Sequence, residues 1–424
     1  MNSRHSRGEQ EFRRGVCPFP WTSLLVDCDG SISFCCWHYP FAHINDVSEN
    51  ATDEIWNSKI AQDLRRRWNE GRLEGTPCGN CAGLNMFQHF PYPIQDMPAM
   101  PGDIYANVQL NIAEFTDGKT VLKSMPVEIQ YVPSTLCNIH CIHCYQRPVR
   151  KDNNSYIKSK DLLNFYHRLG NRAAKNWFVG GEPLYIRQTF QLINEFSPEQ
   201  RAASEAVFCT NGLLAKDKFQ SIAGFRKYVF LISISSFRKE TYEYIHHGAS
   251  FEKLIENLEF LSQRKFEGMD ISLIRQMVVM KSNFVDLMSI SSAAKRYKFD
   301  EVWVKPVHGA YWKGDILKDE NIFQLPHLLK NMPDWKDIIA KASQDVLDTD
   351  NKTTYNNLQY LNNQLSSSTV LSRLHSICNL FSWQLRVTII KLMSLIPLNR
   401  RKKLMLTLNR LLARLRSRSS GETA

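Results

Sequence analysis

Pro126-Val-Glu-Ile-Gln-Tyr-Val-Pro-Ser-Thr-Leu-Cys137-Asn-Ile-His-Cys141-Ile-His-Cys144 is the stretch on which the reading turns. Val127 to Val132 is a short run of β-branched and aromatic residues bounded by prolines, which predicts a strand. Directly after it, three thiols fall within eight residues, separated by three residues and then by two. Thiolates this close can converge on one soft metal centre. A structural zinc site favours facing Cys-x2-Cys pairs and four ligands, and no fourth cysteine stands nearby. A four-iron cluster held by three thiolates instead keeps one iron open to a small molecule. Zinc and plain buried cysteines are the competing readings of these residues.

Downstream, Lys175 to Val179, Ala206 to Thr210, Tyr228 to Ile234, Ile271 to Met280 and Val302 to Lys305 also read as strands. Between the six strands, Asp161 to Leu169, Ile186 to Phe196, Phe251 to Arg264 and Phe284 to Tyr297 repeat apolar residues at helical spacing. Such alternation implies parallel pairing through right-handed crossovers. Six strands in about 180 residues are fewer than the eight of a closed barrel of about 250. The expected class is therefore α/β with a partial (β/α)6 barrel, a doubly wound sheet being the second choice. Either architecture gathers ligands at the carboxyl ends of the strands. Gly180-Gly181-Glu182-Pro183, Thr210-Asn211-Gly212 and Ser233-Ile-Ser235 stand at the ends of the second, third and fourth strands.

With these motifs in this order, and with His143 as the aromatic residue before the third cysteine, the chain from Met125 to Val307 resembles the radical S-adenosylmethionine (radical SAM) enzymes. The resemblance implies a [4Fe–4S] cluster on Cys137, Cys141 and Cys144 that binds S-adenosylmethionine. It also implies cofactor contacts at Gly180, Gly181, Glu182 and Pro183, at Thr210 and Asn211, and at Ser233 and Ser235. Two glycines let the backbone approach a ligand closely, and Glu182 or backbone carbonyls can accept from an ammonium. Relatives often end the fourth strand in Asp, where Ser235-Ser236 stands here, and carry an Arg further on, where this chain has His246-His247. Those histidines read as surface residues, with participation in cofactor binding as the alternative. Cys209, near the end of a core strand, reads as a small apolar core residue or as a thiol able to give a hydrogen atom to a substrate radical.

A second constellation precedes the first: Cys17-Pro-Phe-Pro-Trp21, Asp27 to Gly30, Cys35-Cys36, Ile55-Trp56-Asn57-Ser58 and Cys78-Gly-Asn-Cys81. It resembles the SPASM type of auxiliary iron–sulfur module, or its shorter twitch relative, placed here ahead of the barrel. The resemblance implies ligands at Cys17, Cys35, Cys78 and Cys81, with Gly30 turning a hairpin. Adjacent cysteines in a strand point to opposite faces, so only one of the pair can easily face a metal; Cys35 is preferred, and Cys36 could replace it. Four cysteines with one Cys-x2-Cys pair are also a zinc pattern.

The resulting divisions are an auxiliary module at residues 1–90, a connector at 91–125, the radical SAM core at 126–310, a C-terminal extension at 311–350, and a linker with a basic tail at 351–424. Asn351 to Ser368 is rich in Asn, Gln and Ser and reads as a linker or weakly held surface segment. From Asn351 onward there are twelve Lys and Arg against one acid, Glu422, while residues 1–350 balance 41 against 41. The whole net charge of +11 thus belongs to the tail. A neutral body argues against nucleic-acid wrapping. Leu404, Leu408, Leu411, Leu412 and Leu415 share one helical face and Lys403, Arg410 and Arg414 another. Such a helix suits an anionic membrane surface, an acidic partner, or the protein's own body.

Val387 to Leu398, the longest apolar stretch, is too short for a membrane span. Sparse cysteines and a polar N-terminus point to a reducing cytoplasm, with peripheral attachment at the inner face of the membrane through the tail. The resemblance implies an enzyme that cleaves S-adenosylmethionine reductively. The 5′-deoxyadenosyl radical then takes hydrogen from a peptide, protein or sugar substrate in an oxidation or maturation reaction. Its partners would include a reductant such as flavodoxin or ferredoxin. The alternatives are an epimerase with a thiol donor and a non-enzymatic iron–sulfur or zinc scaffold.

Overall fold

The structure is a computed structural model that describes residues 16–36, 38–47, 52–81, 102–144, 146, 157–307, 316–323, 328–329, 332–347 and 352–366. The first part of the expected connector, residues 91–101, and the expected basic helix around Leu404 to Leu415 lie outside the described residues.

Among the described residues eleven strands follow in chain order: β1 (Ser23–Val26), β2 (Ser31–Ser33), β3 (Ala42–His43), β4 (Glu128–Tyr131), β5 (His140–Cys141), β6 (Lys175–Phe178), β7 (Glu205–Thr210), β8 (Lys227–Ser233), β9 (His246–His247), β10 (Ile271–Val279) and β11 (Glu301–Pro306). Nine of them form one open sheet in the order β11-β10-β8-β7-β6-β4-β1-β2-β3, and β5 pairs with β9 separately. The six expected strands are β4, β6, β7, β8, β10 and β11, all parallel to their neighbours. Helices cross between them, among them Arg187–Glu195 and Phe251–Phe266. The architecture is a partial (β/α)6 barrel extended at one edge.

That extension comes from the N-terminal segment. β1 adds to β4 in parallel, with Leu24 opposite Ile129, and continues into an antiparallel hairpin with β2. Gly30 turns the hairpin at φ +83°, and an added Cβ there would lie 2.6 Å from His43 Nε2. Arg65 anchors the segment from the helix Lys59–Glu70. Its buried guanidinium donates to the carbonyls of Pro20, Trp56 and Thr120 and to Asn57 Oδ1, with the Trp56 ring 4.6 Å away. Three backbone acceptors that would otherwise be dry are satisfied by one side chain. The connector also carries a packed helix, Asp103–Thr116, whose Asn111 donates to the Trp21 carbonyl at 2.7 Å.

One sheet face is closed by a ladder of aromatic rings. Tyr131, Phe178, Phe208 and Phe230 are register partners on β4, β6, β7 and β8. Their successive centroids are 5.9, 5.1 and 5.7 Å apart. Cross-strand aromatic pairs of this kind add about 0.5–1.5 kcal/mol each beyond area burial. Side chains alternate across a strand, so the half-buried Trp177, Cys209, Ser233, Gln276, Trp303 and Lys305 lie on the other, concave face.

The segment expected to be a linker is instead a helix, Lys352–Ser366. Leu358, Leu361 and Leu365 recur at helical spacing and are buried. Asn357 Oδ1 accepts from the Val304 N–H at 2.9 Å, and Thr354 Oγ1 donates to the Val302 carbonyl at 2.7 Å. The polar residues that suggested a linker thus cover the edge of β11, which would otherwise be left unpaired.

Candidate active site

The loop leaving β4 carries Cys137, Cys141 and Cys144, all half-buried. It is held by the strand-end motifs. Gly181 N–H donates to the Ser134 carbonyl at 3.0 Å and Glu182 N–H to the Leu136 carbonyl at 2.8 Å. A Cβ on Gly181 would lie 1.8 Å from the Leu136 oxygen, and one on Gly180, at φ +119°, 2.4 Å from that of Ser134. The two glycines therefore bring the β6 loop against the segment that delivers the first cysteine.

Glu182 turns inward and is fully buried. Oε1 accepts from the Thr210 hydroxyl at 2.7 Å and the Leu184 N–H at 3.1 Å, and Oε2 accepts from the Asn211 N–H at 2.7 Å. Burial pushes its carboxyl up to about 7, against the pull of these donors. The side chain joins the end of β6 to that of β7, so the loop presents backbone rather than this carboxylate to a ligand. Asn211 then reaches the cysteine loop, donating through Nδ2 to Asn138 Oδ1 at 2.8 Å, with Cys137 Sγ at 3.9 Å. Of the serines after β8, Ser233 is half-buried on the concave face, and Ser235 is fully buried, its carbonyl accepting from Asn283 Nδ2 at 2.7 Å.

The His246-His247 pair departs from the expectation of surface residues. His247 is exposed, but His246 is completely buried with Nδ1 3.2 Å from Cys141 Sγ. Burial and the neighbouring His143 hold it well below the ordinary imidazole range, and burial brings His143 down to about 4. The only sequence signal for His246 is that it takes the place of the Arg found in relatives. Its partner lies 105 residues away.

Cys209 stands on the concave face, opposite to Phe208, its chain neighbour in the aromatic ladder. Burial pushes its thiol up to about 12, and Lys305, Glu182 and Cys36 are the charges that act on it. At neutral pH it is an S–H group. Lys305 shares this face at the end of β11, where burial lowers its ammonium and the Trp303 ring lies 5.3 Å away.

In the N-terminal segment, Cys17 is buried just ahead of the short helix Phe19–Thr22. Cys78 and Cys81 share one helical turn, with the Cys81 N–H donating to the Cys78 carbonyl at 3.3 Å. Burial raises the Cys17 thiol, and the charges of Cys78 and Cys81 add to that. Burial also takes Cys78 up to about 11. Cys35 and Cys36 sit in a turn after β2, closed by the His38 N–H on the Cys35 carbonyl at 3.1 Å, so the alternation of a strand does not separate them. Burial raises the Cys36 thiol, the charge of Lys305 acts against that, and the charge of Cys81 adds to it.

Residues 131–288 match the Radical SAM superfamily, and residues 17–82 match the SPASM iron-sulfur cluster-binding domain. The chain carries a radical SAM domain with a SPASM module ahead of it. The GTP 3',8-cyclase of Alkaliphilus metalliredigens (strain QYMF) is 28% identical over 129 residues, which are 29% of this chain and 39% of that protein. The chain thus spans well under two thirds of the length of this curated relative. Streptococcus suis SuiB bound to precursor peptide SuiA is 16% identical with a TM-score of 0.39, over 66% of this chain and 60% of that one. Native anSMEcpe with bound AdoMet and Kp18Cys peptide is 19% identical with a TM-score of 0.36, over 53% and 62%.

A radical SAM domain works with a [4Fe–4S] cluster and S-adenosylmethionine, and a SPASM domain with auxiliary iron–sulfur clusters. Among the described residues no three His, Cys, Asp or Glu side chains close around a single point, so the fit rests on donor chemistry. The radical SAM loop offers three thiols and no carboxylate, the soft set that iron–sulfur centres take. The SPASM segment offers thiols that already act on one another. Both donor sets fit. Among the described residues no helix is long and apolar enough to cross a membrane.

Proposed function

We propose that Cys137, Cys141 and Cys144 hold the [4Fe–4S] cluster that binds S-adenosylmethionine, and that the enzyme removes hydrogen from an unactivated C–H bond of a peptide or protein substrate. The observation that carries this reading is the direct attachment of the cysteine loop to the strand ends, through Gly181, Glu182 and Asn211. Bound there, the cluster and S-adenosylmethionine together supply a 5′-deoxyadenosyl radical.

The protein's own residues bind and orient. Backbone groups of Gly180 to Pro183 take the amino end of S-adenosylmethionine, with Glu182 holding that backbone in place. Thr210, Asn211, Ser233 and Ser235 line the way toward the ribose. The concave face excludes water from the reacting bond with Trp177, Trp303 and the stem of Lys305. Cys17, Cys35, Cys78 and Cys81 would hold an auxiliary cluster, and the chemistry such a group would supply there is uptake of an electron in an oxidative outcome. Cys36, on which the charges of Lys305 and Cys81 both act, is the alternative to Cys35 in that set. The SPASM match favours a peptide or protein substrate over a sugar, because relatives with this module modify peptides and proteins.

A second reading, in which a hydrogen atom is returned to the substrate and its stereochemistry inverted, is favoured by the S–H of Cys209 on the concave face.

The test is iron and sulfide content with EPR on anaerobically reconstituted protein, beside a Cys137/Cys141/Cys144→Ala triple variant, followed by an assay for 5′-deoxyadenosine under reducing conditions. About eight irons falling to about four, with cleavage lost in the variant, support the reading. No iron in either protein, or cleavage that survives the triple substitution, overturns it.

A further inference from the structure

Cys141 and His246 are register partners in the antiparallel ladder β5/β9, beside which the Ile142 N–H donates to the Ile245 carbonyl at 2.9 Å. Backbone pairing therefore sets the two side chains together. His246 Nδ1 lies 3.2 Å from Cys141 Sγ. At the other end of the ring, the Ser235 backbone N–H donates to Nε2 at 3.2 Å. A neutral imidazole carries one proton. With Nε2 accepting, that proton sits on Nδ1 and points at the sulfur.

The ring is fixed from every side. Tyr242 packs on it with centroids 4.7 Å apart and His143 meets it edge-on at 5.7 Å. Ser235, which sets the tautomer, is itself held by Asn283 Nδ2 on its carbonyl. No solvent reaches the ring. A permanently charged donor at this position would carry the penalty of a buried cation, whereas imidazole supplies an N–H without one.

We propose that His246 is a positioning residue that donates a fixed Nδ1–H hydrogen bond to the Cys141 sulfur and thereby raises the electron affinity of the cluster that sulfur ligates. The inference rests on the reading of Cys141 as a cluster ligand. Hydrogen bonds to cluster sulfurs are among the determinants of reduction potential. An N–H aimed at sulfur stabilises the reduced, more negative state more than the oxidised one, because the added electron increases the charge the donor sees.

The test uses the full chain with two variants. His246→Phe keeps a ring and removes the N–H; His246→Asn keeps a donor close to the Nδ1 position. Potentiometric titration is followed by EPR, and the radical SAM cluster is recognised as the signal that changes when S-adenosylmethionine is added. The expected result is a more negative midpoint in His246→Phe, by roughly a tenfold change in the reduction equilibrium (59 mV for one electron), largely restored in His246→Asn. In the metal-free protein, alkylation of Cys141 by iodoacetamide should slow several-fold in His246→Phe while Cys137 and Cys144 keep their rates, since the lost donor no longer stabilises the thiolate.

An unchanged midpoint with iron retained overturns the proposal. Loss of iron in both variants alike also overturns it, since the ring would then only fill space. Absence of any S-adenosylmethionine-responsive iron signal in the wild-type protein overturns the ligand reading instead, and the alkylation rates still decide whether the hydrogen bond exists.

Discussion

The carboxylate of Glu182 accepts the hydroxyl of Thr210 at 2.7 Å, tying together two strand ends 28 residues apart in the chain. In solvent-free surroundings this bond makes the motif at the end of β6 and the motif at the end of β7 one object. The cysteine loop leans on both.

That burial has a pH signature. The folded-state value of Glu182 is raised from 4.5 to about 7, so between those values the native protein keeps a proton that the unfolded chain has released. The stability contributed is full below about pH 4.5 and is lost as the pH rises through about 7. Denaturant titrations at pH 5 and pH 8 should show wild type losing about 3 kcal/mol more than Glu182→Gln across that interval. Parallel curves for the two proteins would mean that the carboxyl titrates as it does in water.

Gly181→Ala places a methyl group where the Leu136 carbonyl oxygen is 1.8 Å away. The β6 loop and the cysteine segment must separate, at a cost of about 1–3 kcal/mol. Iron analysis should show the radical SAM site emptied selectively, with about four irons remaining in the auxiliary site. A variant that keeps its full iron and its melting temperature would show that the two segments part without consequence.

Arg65→Met keeps the aliphatic stem against Trp56 and leaves the carbonyls of Pro20, Trp56 and Thr120 without their donor. Leaving such groups buried costs about 1–3 kcal/mol each. Because the residue binds the N-terminal segment to the core, limited proteolysis should cut first between residues 16 and 81. Cutting elsewhere first would show that Arg65 does not hold this segment.

Cys209→Ala separates the two readings of the reaction. Cleavage of S-adenosylmethionine is expected to continue in either case, because neither reading gives this thiol a part in holding the cluster or the cofactor. Under the oxidative reading, product formation also continues. Under the inverting reading it stops while 5′-deoxyadenosine still accumulates, and mass spectrometry of the reaction in deuterated water distinguishes the outcomes by label in the product.

Local pattern alone determined the six core strands and the helices between them, because period and spacing are properties of a few consecutive residues. It determined that the motifs fall at strand ends, since a Gly-Gly or Thr-Asn-Gly after an apolar run marks the place where a strand stops. Tertiary structure alone decided that β1 extends the core sheet, that Lys352–Ser366 is a helix covering the edge of β11, that Glu182 faces inward, and that His246 meets Cys141. The physical reason is common to the four. Each depends on groups brought together from distant parts of the chain, where burial, and not local propensity, sets which polar group finds a partner.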